Sequence, residues 1–215
     1  GPLSDVVSER ISMRSGDSDA EGTMVIKNGK LVERQAKLAE QGVIFTDLRT
    51  ALHEHEALVR EHLFSTVNAT QTKYTALNSA LWTNGTFVYV PKNVEVELPL
   101  GTFTTADRGG IGAGRTLIVV DVNAKATFID EFTSEPFDER LFYDAATEIV
   151  LKDGAKLRYV SLQNWSRNVV HLHKQRADVG RDARLESLTV SLGGDAGRVE
   201  IESELTGLGA ESEML

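Results

Sequence analysis

The sequence contains no cysteine. That excludes disulfides, a thiolate nucleophile and any cysteine-based zinc or iron site within its 215 residues. If the chain takes part in metal–sulfur chemistry, another chain or segment supplies the thiolates. Long apolar runs are also missing. None approaches the roughly 18 residues of a membrane span, and no apolar stretch follows the N-terminus, so nothing indicates a membrane or a secretory route. The three sequons, at Asn68, Asn84 and Asn164, carry no weight without such a route. Lys and Arg form no dense cluster and the formal net charge is −9, so a nucleic-acid partner is not expected.

What is present divides into three parts. Residues 1–30 are polar and read as a flexible tail, with an opening Gly1-Pro2-Leu3 that looks like a protease scar from expression. Residues 31–83 have helical spacing. A short helix is expected over 31–42, a short strand at 43–45, a longer helix over 47–63 with its stripe at Leu48, Ala51, Leu52, Leu58, Val59 and Leu63, and a third over 70–82. Asn84-Gly85 is expected to stop that third helix, because both residues tolerate positive φ.

From residue 84 the period changes. Five segments align as strand, tight turn, strand, with turns at Lys92-Asn93, Val122-Asn123, Asp153-Gly154, Arg181-Asp182 and Leu208-Gly209. Each turn is followed by Val94, Ala124, Ala155, Ala183 or Ala210, spaced 30, 31, 28 and 27 apart. Repetition at this interval predicts a stacked β architecture in which each unit buries its face against its neighbours. Pro91 then marks a corner, since proline is tolerated at turns and not in central strands. Early units are apolar on both faces, as at Phe87/Tyr89 and Val88/Val90, and the helices over 47–82 are the expected outer cover. The fold class is a parallel β-helix preceded by a small helical segment, with an antiparallel β-sandwich as the alternative. The final unit stops at Leu215 on a strand pattern without a polar cap, which reads as a piece of a longer protein or an end that self-associates.

The motifs that resemble chemistry are weak singly. Gly109–Thr116 ("GGIGAGRT") has the glycines of a phosphate loop but precedes a strand and has Arg115 in place of lysine, so it reads as a loop between strands. "HEHEALVREH" lacks the His-Glu-x-x-His spacing, and His55 and His62 are expected to pack with their polar tips outward. His171 and His173 share one strand face and are weak metal-ligand candidates needing a third ligand. Asp130, Glu131, Glu135, Asp138 and Glu139 read as a loop cluster. Gln163 and Trp165 share a face and need hydrogen-bond partners if buried.

Together the segments carry a resemblance. "KYTALNSALWTNGTFVYVPKNVEVELPL", "ATEIVLKDGAKLRYVSLQNW" and "QRADVGRDARLESLTVSLGG" resemble the core of the SufB/SufD family of iron–sulfur cluster assembly proteins, and residues 42–67 resemble its N-terminal helical segment. The resemblance covers about residues 41–215. It implies a right-handed parallel β-helix in the cytoplasm that serves as a non-enzymatic scaffold with a SufC-type ATPase and a SufB-type partner. A cluster would be held transiently by the full complex, with no cofactor in this fragment. Thr133 stands where SufB-like members carry cysteine, and Gln175-Arg176-Ala177 where they carry Lys-Arg-Ala, which implies a SufD-like chain. Gln163, Trp165, Thr133 and Arg176 are the candidates for an interior polar path. From other classes, a β-helix carbohydrate-active enzyme predicts a groove of converging carboxylates, and a structural solenoid interaction module predicts self-association through its edge strands.

Overall fold

The computed structural model describes residues 21–36 and 38–215. Five successive turns each contribute one strand to each of two facing sheets: β4 (Asn84–Val90) and β5 (Leu100–Ala106), β6 (Gly110–Val120) and β7 (Lys125–Ser134), β8 (Leu141–Leu151) and β9 (Lys156–Asn164), β10 (Val169–Val179) and β11 (Arg184–Ser191), β12 (Ala196–Leu205) and β13 (Glu211–Met214). Neighbouring strands of successive turns pair in parallel throughout, which excludes the antiparallel sandwich. The molecule is a β-solenoid.

The corner after each even-numbered strand explains the repeat. Asn93, Asn123, Gly154, Asp182 and Gly209 all adopt left-handed backbone, with φ between 54 and 72°. Only glycine and, to a lesser degree, Asn and Asp do so at small cost. Their amides form a ladder from turn to turn, as in Asn123 N–H to Asp153 O at 3.0 Å and Gly154 N–H to Arg181 O at 2.8 Å. The residues that follow, Ala124, Ala155 and Ala183, are buried in the interior cluster.

Sheet faces alternate as the pattern predicts. Val88, Ile118, Ile149 and Ala177 fill the interior, while Phe87, Leu117, Val119 and Val150 point outward. The outward row is covered by helices α1 (Leu48–Glu54) and α2 (Glu56–His62) through Leu48, Ala51 and Val59. The expected single helix over 47–63 is therefore two, interrupted at His55. Helix α3 (Lys73–Leu81) begins with a capping box between Thr72 and Thr75; its buried residues are Thr75 and Asn78, Leu81 is exposed, and the Trp82 that follows packs against the outer apolar cluster.

Four further expectations need correction. The helix over 31–42 is instead strand β2 (Lys30–Ala36) followed by a short 3-10 turn, and β2 is the second arm of a hairpin with β1 (Gly22–Lys27). Asn28 and Gly29 both have positive φ, and this Asn-Gly pair is a strong short-range hairpin signal. β1 also pairs in parallel with β5 and buries Met24, Val25 and Ile26, so the tail expected over 1–30 does not extend to these residues; residues 1–20 lie outside the described ones. The stretch 109–116 is mostly strand β6 rather than a loop, and its glycines lie under an aromatic ring: a Cβ on Gly112 would meet the Tyr143 ring at 2.8 Å, and one on Gly114 its hydroxyl at 2.4 Å. Gly85 is not a positive-φ stop. It lies inside β4, antiparallel to β3 (Ile44–Asp47) on that strand's other side, where a Cβ would stand 1.8 Å from the Arg115 carbonyl oxygen.

Candidate functional site: a polar column inside the solenoid

The interior is apolar near the left-handed corner and polar further along the strands. Thr86, Thr116, Thr147 and Gln175 occupy one register column on the inner face of the even-numbered sheet. Each bonds across the interior to the opposite sheet: Thr86 to Thr102 at 3.1 Å, Thr116 to Asp130 at 3.1 Å, Thr147 to Tyr159 at 3.4 Å and Gln175 to Ser187 at 2.9 Å. Side chains there have no access to water, so crossing bonds are their means of satisfaction.

The middle turns are joined along the axis as well. Tyr159 donates to Asp130 at 3.4 Å, and Thr147 bonds His173 Nε2 at 2.9 Å. Thr116, Asp130, Tyr159, Thr147 and His173 thus form one hydrogen-bonded line through three turns. Burial raises Asp130 to about 7, against the pull of the Thr116 and Tyr159 hydroxyls. Burial also pushes the Tyr159 phenol well up, His173 down to about 4 and His171 well below the usual imidazole range, so both histidines are neutral at pH 7.

At the far end of the strands, Trp165 donates its indole N–H to His171 Nδ1 at 3.1 Å. That bond places the proton of neutral His171 on Nε2, which has no hydrogen-bond partner. Phe132 packs against both His171 and His173, at 5.2 and 5.4 Å between ring centroids. Gln163 is clamped to the Gly193 backbone in both directions, at 2.8 and 3.1 Å.

The four residues proposed for an interior path are not brought together. Gln163 and Trp165 are buried beside the interior, as above. Thr133 faces out of its sheet and bonds the Asn164 carbonyl at 3.3 Å, while its neighbour Phe132 faces in. Arg176 also faces out, paired with Glu204 at 2.6 Å and Glu202 at 3.8 Å, while its neighbour Gln175 faces in. The expected carboxylate loop is divided too: Asp130 and Glu131 belong to β7, buried on opposite faces, and only Glu135, Asp138 and Glu139 lie in the connection. No groove of converging carboxylates results from these five. His62 is buried, with Nε2 3.4 Å from Glu61, and His53 is exposed.

Comparison with known proteins places this geometry. A family model described as "SUF system FeS cluster assembly, SufBD core domain" matches residues 103–215, and one described as "SufBD protein N-terminal region" matches residues 20–101. The chain belongs to the SufBD family of SUF iron–sulfur cluster assembly proteins. An iron–sulfur cluster assembly SufBD family protein of Staphylococcus epidermidis is 36% identical over 160 residues, covering 74% of this chain and 34% of the relative. The iron–sulfur cluster assembly protein SufB of Bacillus subtilis is 36% identical over 157 residues, with 73% and 34% covered. The chain thus spans about a third of the length of the curated relatives it matches.

Within this SufBD chain the donor set does not fit a resident metal. Cysteine is absent, and among the described residues no three His, Asp or Glu side chains converge on a point. His171 and His173 are engaged through Nδ1 and Nε2 with Trp165 and Thr147, and lack the third ligand that a metal site needs. No helix among the described residues is long and apolar enough to cross a membrane.

Proposed function

We propose that this SufBD chain is the first part of the solenoid of a SufD-like scaffold. In this reading it is non-enzymatic by itself and works in the cytoplasm with a SufC-type ATPase and a SufB-type partner that supplies the thiolates for a transiently held cluster. A boundary near residue 84 between a helical segment and the solenoid over 84–215 is part of that proposal, with the β1–β2 hairpin as an added edge of the solenoid.

One observation carries the SufD-like choice: Thr133 occupies the position where the family resemblance expects a cysteine, in a chain with no cysteine at all. A threonine hydroxyl accepts neither a persulfide sulfur nor a soft metal in the way a thiolate does. A relative named SufB is among the matches, so the distinction rests on the residue and not on overall similarity. The test is depletion of the intact gene product in its own host. Activities of iron–sulfur enzymes should fall together while total iron uptake persists. Unchanged activities under conditions that demand the SUF system would defeat the proposal.

A further inference from the structure

The segment between α2 and α3 wraps a buried carboxylate. Glu148, on the outer face of β8, accepts the Phe64 N–H through Oε1 at 2.9 Å and the Thr66 and Val67 N–H groups through Oε2, each at 3.1 Å. Arg115, on β6, bonds the same carboxylate at 2.5 Å and the Val67 carbonyl at 2.9 Å. Both side chains are fully shielded from water. Phe64 takes a φ of 65°, unusual for a bulky residue, and lays its ring 4.2 Å from the Arg115 guanidinium.

Helix α3 continues the same style of docking. Asn78 donates to the Gly114 and Asp144 carbonyls at 3.1 and 2.9 Å, and Ser79 accepts from Arg115 at 3.4 Å. Apolar contact is added at Val67, which is fully buried, and at Trp82, which packs against the outer apolar cluster, while the buried residues of α3 itself are Thr75 and Asn78. Four buried polar atoms in this layer have no partner: Gln71 Oε1, Asn78 Oδ1, Arg115 Nε and Asp144 Oδ2. Each makes the docked state costly and regains water when the layer lifts. Polar docking of this kind is also directional, so it is lost all at once.

We infer that residues 64–82 form a strap that lifts from the solenoid as one unit, with α1 and α2 left in place, and that the Glu148 carboxylate is its latch. The contacts that hold it are largely polar and offset by unpaired groups, whereas the β6–β8–β10 ladder beneath is continuous parallel pairing. Opening of this sort is a sub-global event with its own, lower free energy. Lifting also releases Phe64 from its left-handed backbone.

Native-state hydrogen exchange on the 215-residue chain tests this. The amides of Phe64, Thr66, Val67, Ala76 and Trp82 should exchange together, faster than those of Ile118 and Ile149. Glu148→Gln should speed the strap amides by a further roughly tenfold to a hundredfold, the effect of losing charge-assisted hydrogen bonds, with Ile118 and Ile149 unchanged. Asn78→Ala should speed the same set. Strap amides that exchange only with the solenoid amides in the parent chain overturn the inference, and so do variants that speed both sets equally. The parent measurement decides the matter even if a variant fails to fold.

Discussion

Thr116 donates its hydroxyl to Asp130 at 3.1 Å across the solenoid interior, and Asp130 has no access to water. The carboxyl therefore titrates in the folded chain at about 7, against an ordinary 3.8. Between those values the folded state holds a proton that the unfolded chain has released. Stability from this group is complete below about pH 4 and is lost as pH rises toward 7. Asp130→Asn keeps an acceptor for Thr116 and Tyr159 and removes the titration. Its stability relative to the parent should rise with pH, by at most about 1.4 kcal/mol per pH unit, and level off above about 7. Urea midpoints from pH 4 to 8 measure this; a difference that does not change with pH would show Asp130 to titrate normally.

His173 has the opposite sign. Burial holds its folded value at about 4, so the unfolded chain takes up a proton first as pH falls below the usual 6.5. Its contribution is complete above about 6.5 and is lost between there and 4. His173→Gln retains a partner for Thr147 and should flatten the acid side of the stability profile. An acid limb as steep as the parent's would contradict this.

Asn123 tests the corner ladder. Its φ is 56°. Asn123→Gly should be nearly neutral, and Asn123→Val should cost about 1–2 kcal/mol, the usual penalty for a branched residue in left-handed backbone. Equal midpoints for the two variants in denaturant titrations would show that the corner relaxes.

Gly85 tests close approach. Because a Cβ there would stand 1.8 Å from the Arg115 carbonyl oxygen, Gly85→Ala must push β4 away from β6. A loss of at least about 1–3 kcal/mol is expected, as for overpacking elsewhere. A Gly85→Ala chain with the parent's thermal midpoint would mean that these strands pair less closely than described.

Much of this architecture was legible in the sequence, and the rest was hidden for physical reasons. The corner residues announce themselves because left-handed backbone selects Asn, Asp and Gly, and the buried alanines beside them keep the interval. The β1–β2 hairpin was missed because Leu31, Val32 and Leu38 mimic a helical stripe, although Asn28-Gly29 was the stronger signal. The stretch 109–116 was read as a loop because sequence does not reveal Tyr143 above Gly112 and Gly114. In the candidate site the right segments were found, but parity was not. A strand turns its residues alternately in and out, so Phe132 and Gln175 face the interior where Thr133 and Arg176 had been expected. The Arg115–Glu148 pair was not foreseen, because its partners are 33 positions apart and meet only once β6 and β8 are in register.

The central claim is that this SufBD chain is part of a scaffold that works with thiolate-bearing partners. It is tested most directly by co-expressing the intact protein with a SufC-type ATPase, with and without a SufB-type partner, and weighing the purified assemblies by native mass spectrometry. The account predicts a three-component complex containing this protein, the ATPase and the SufB-type partner, and no cluster assembly when that partner is left out. Failure to form any complex, or cluster assembly with the ATPase alone, would contradict it.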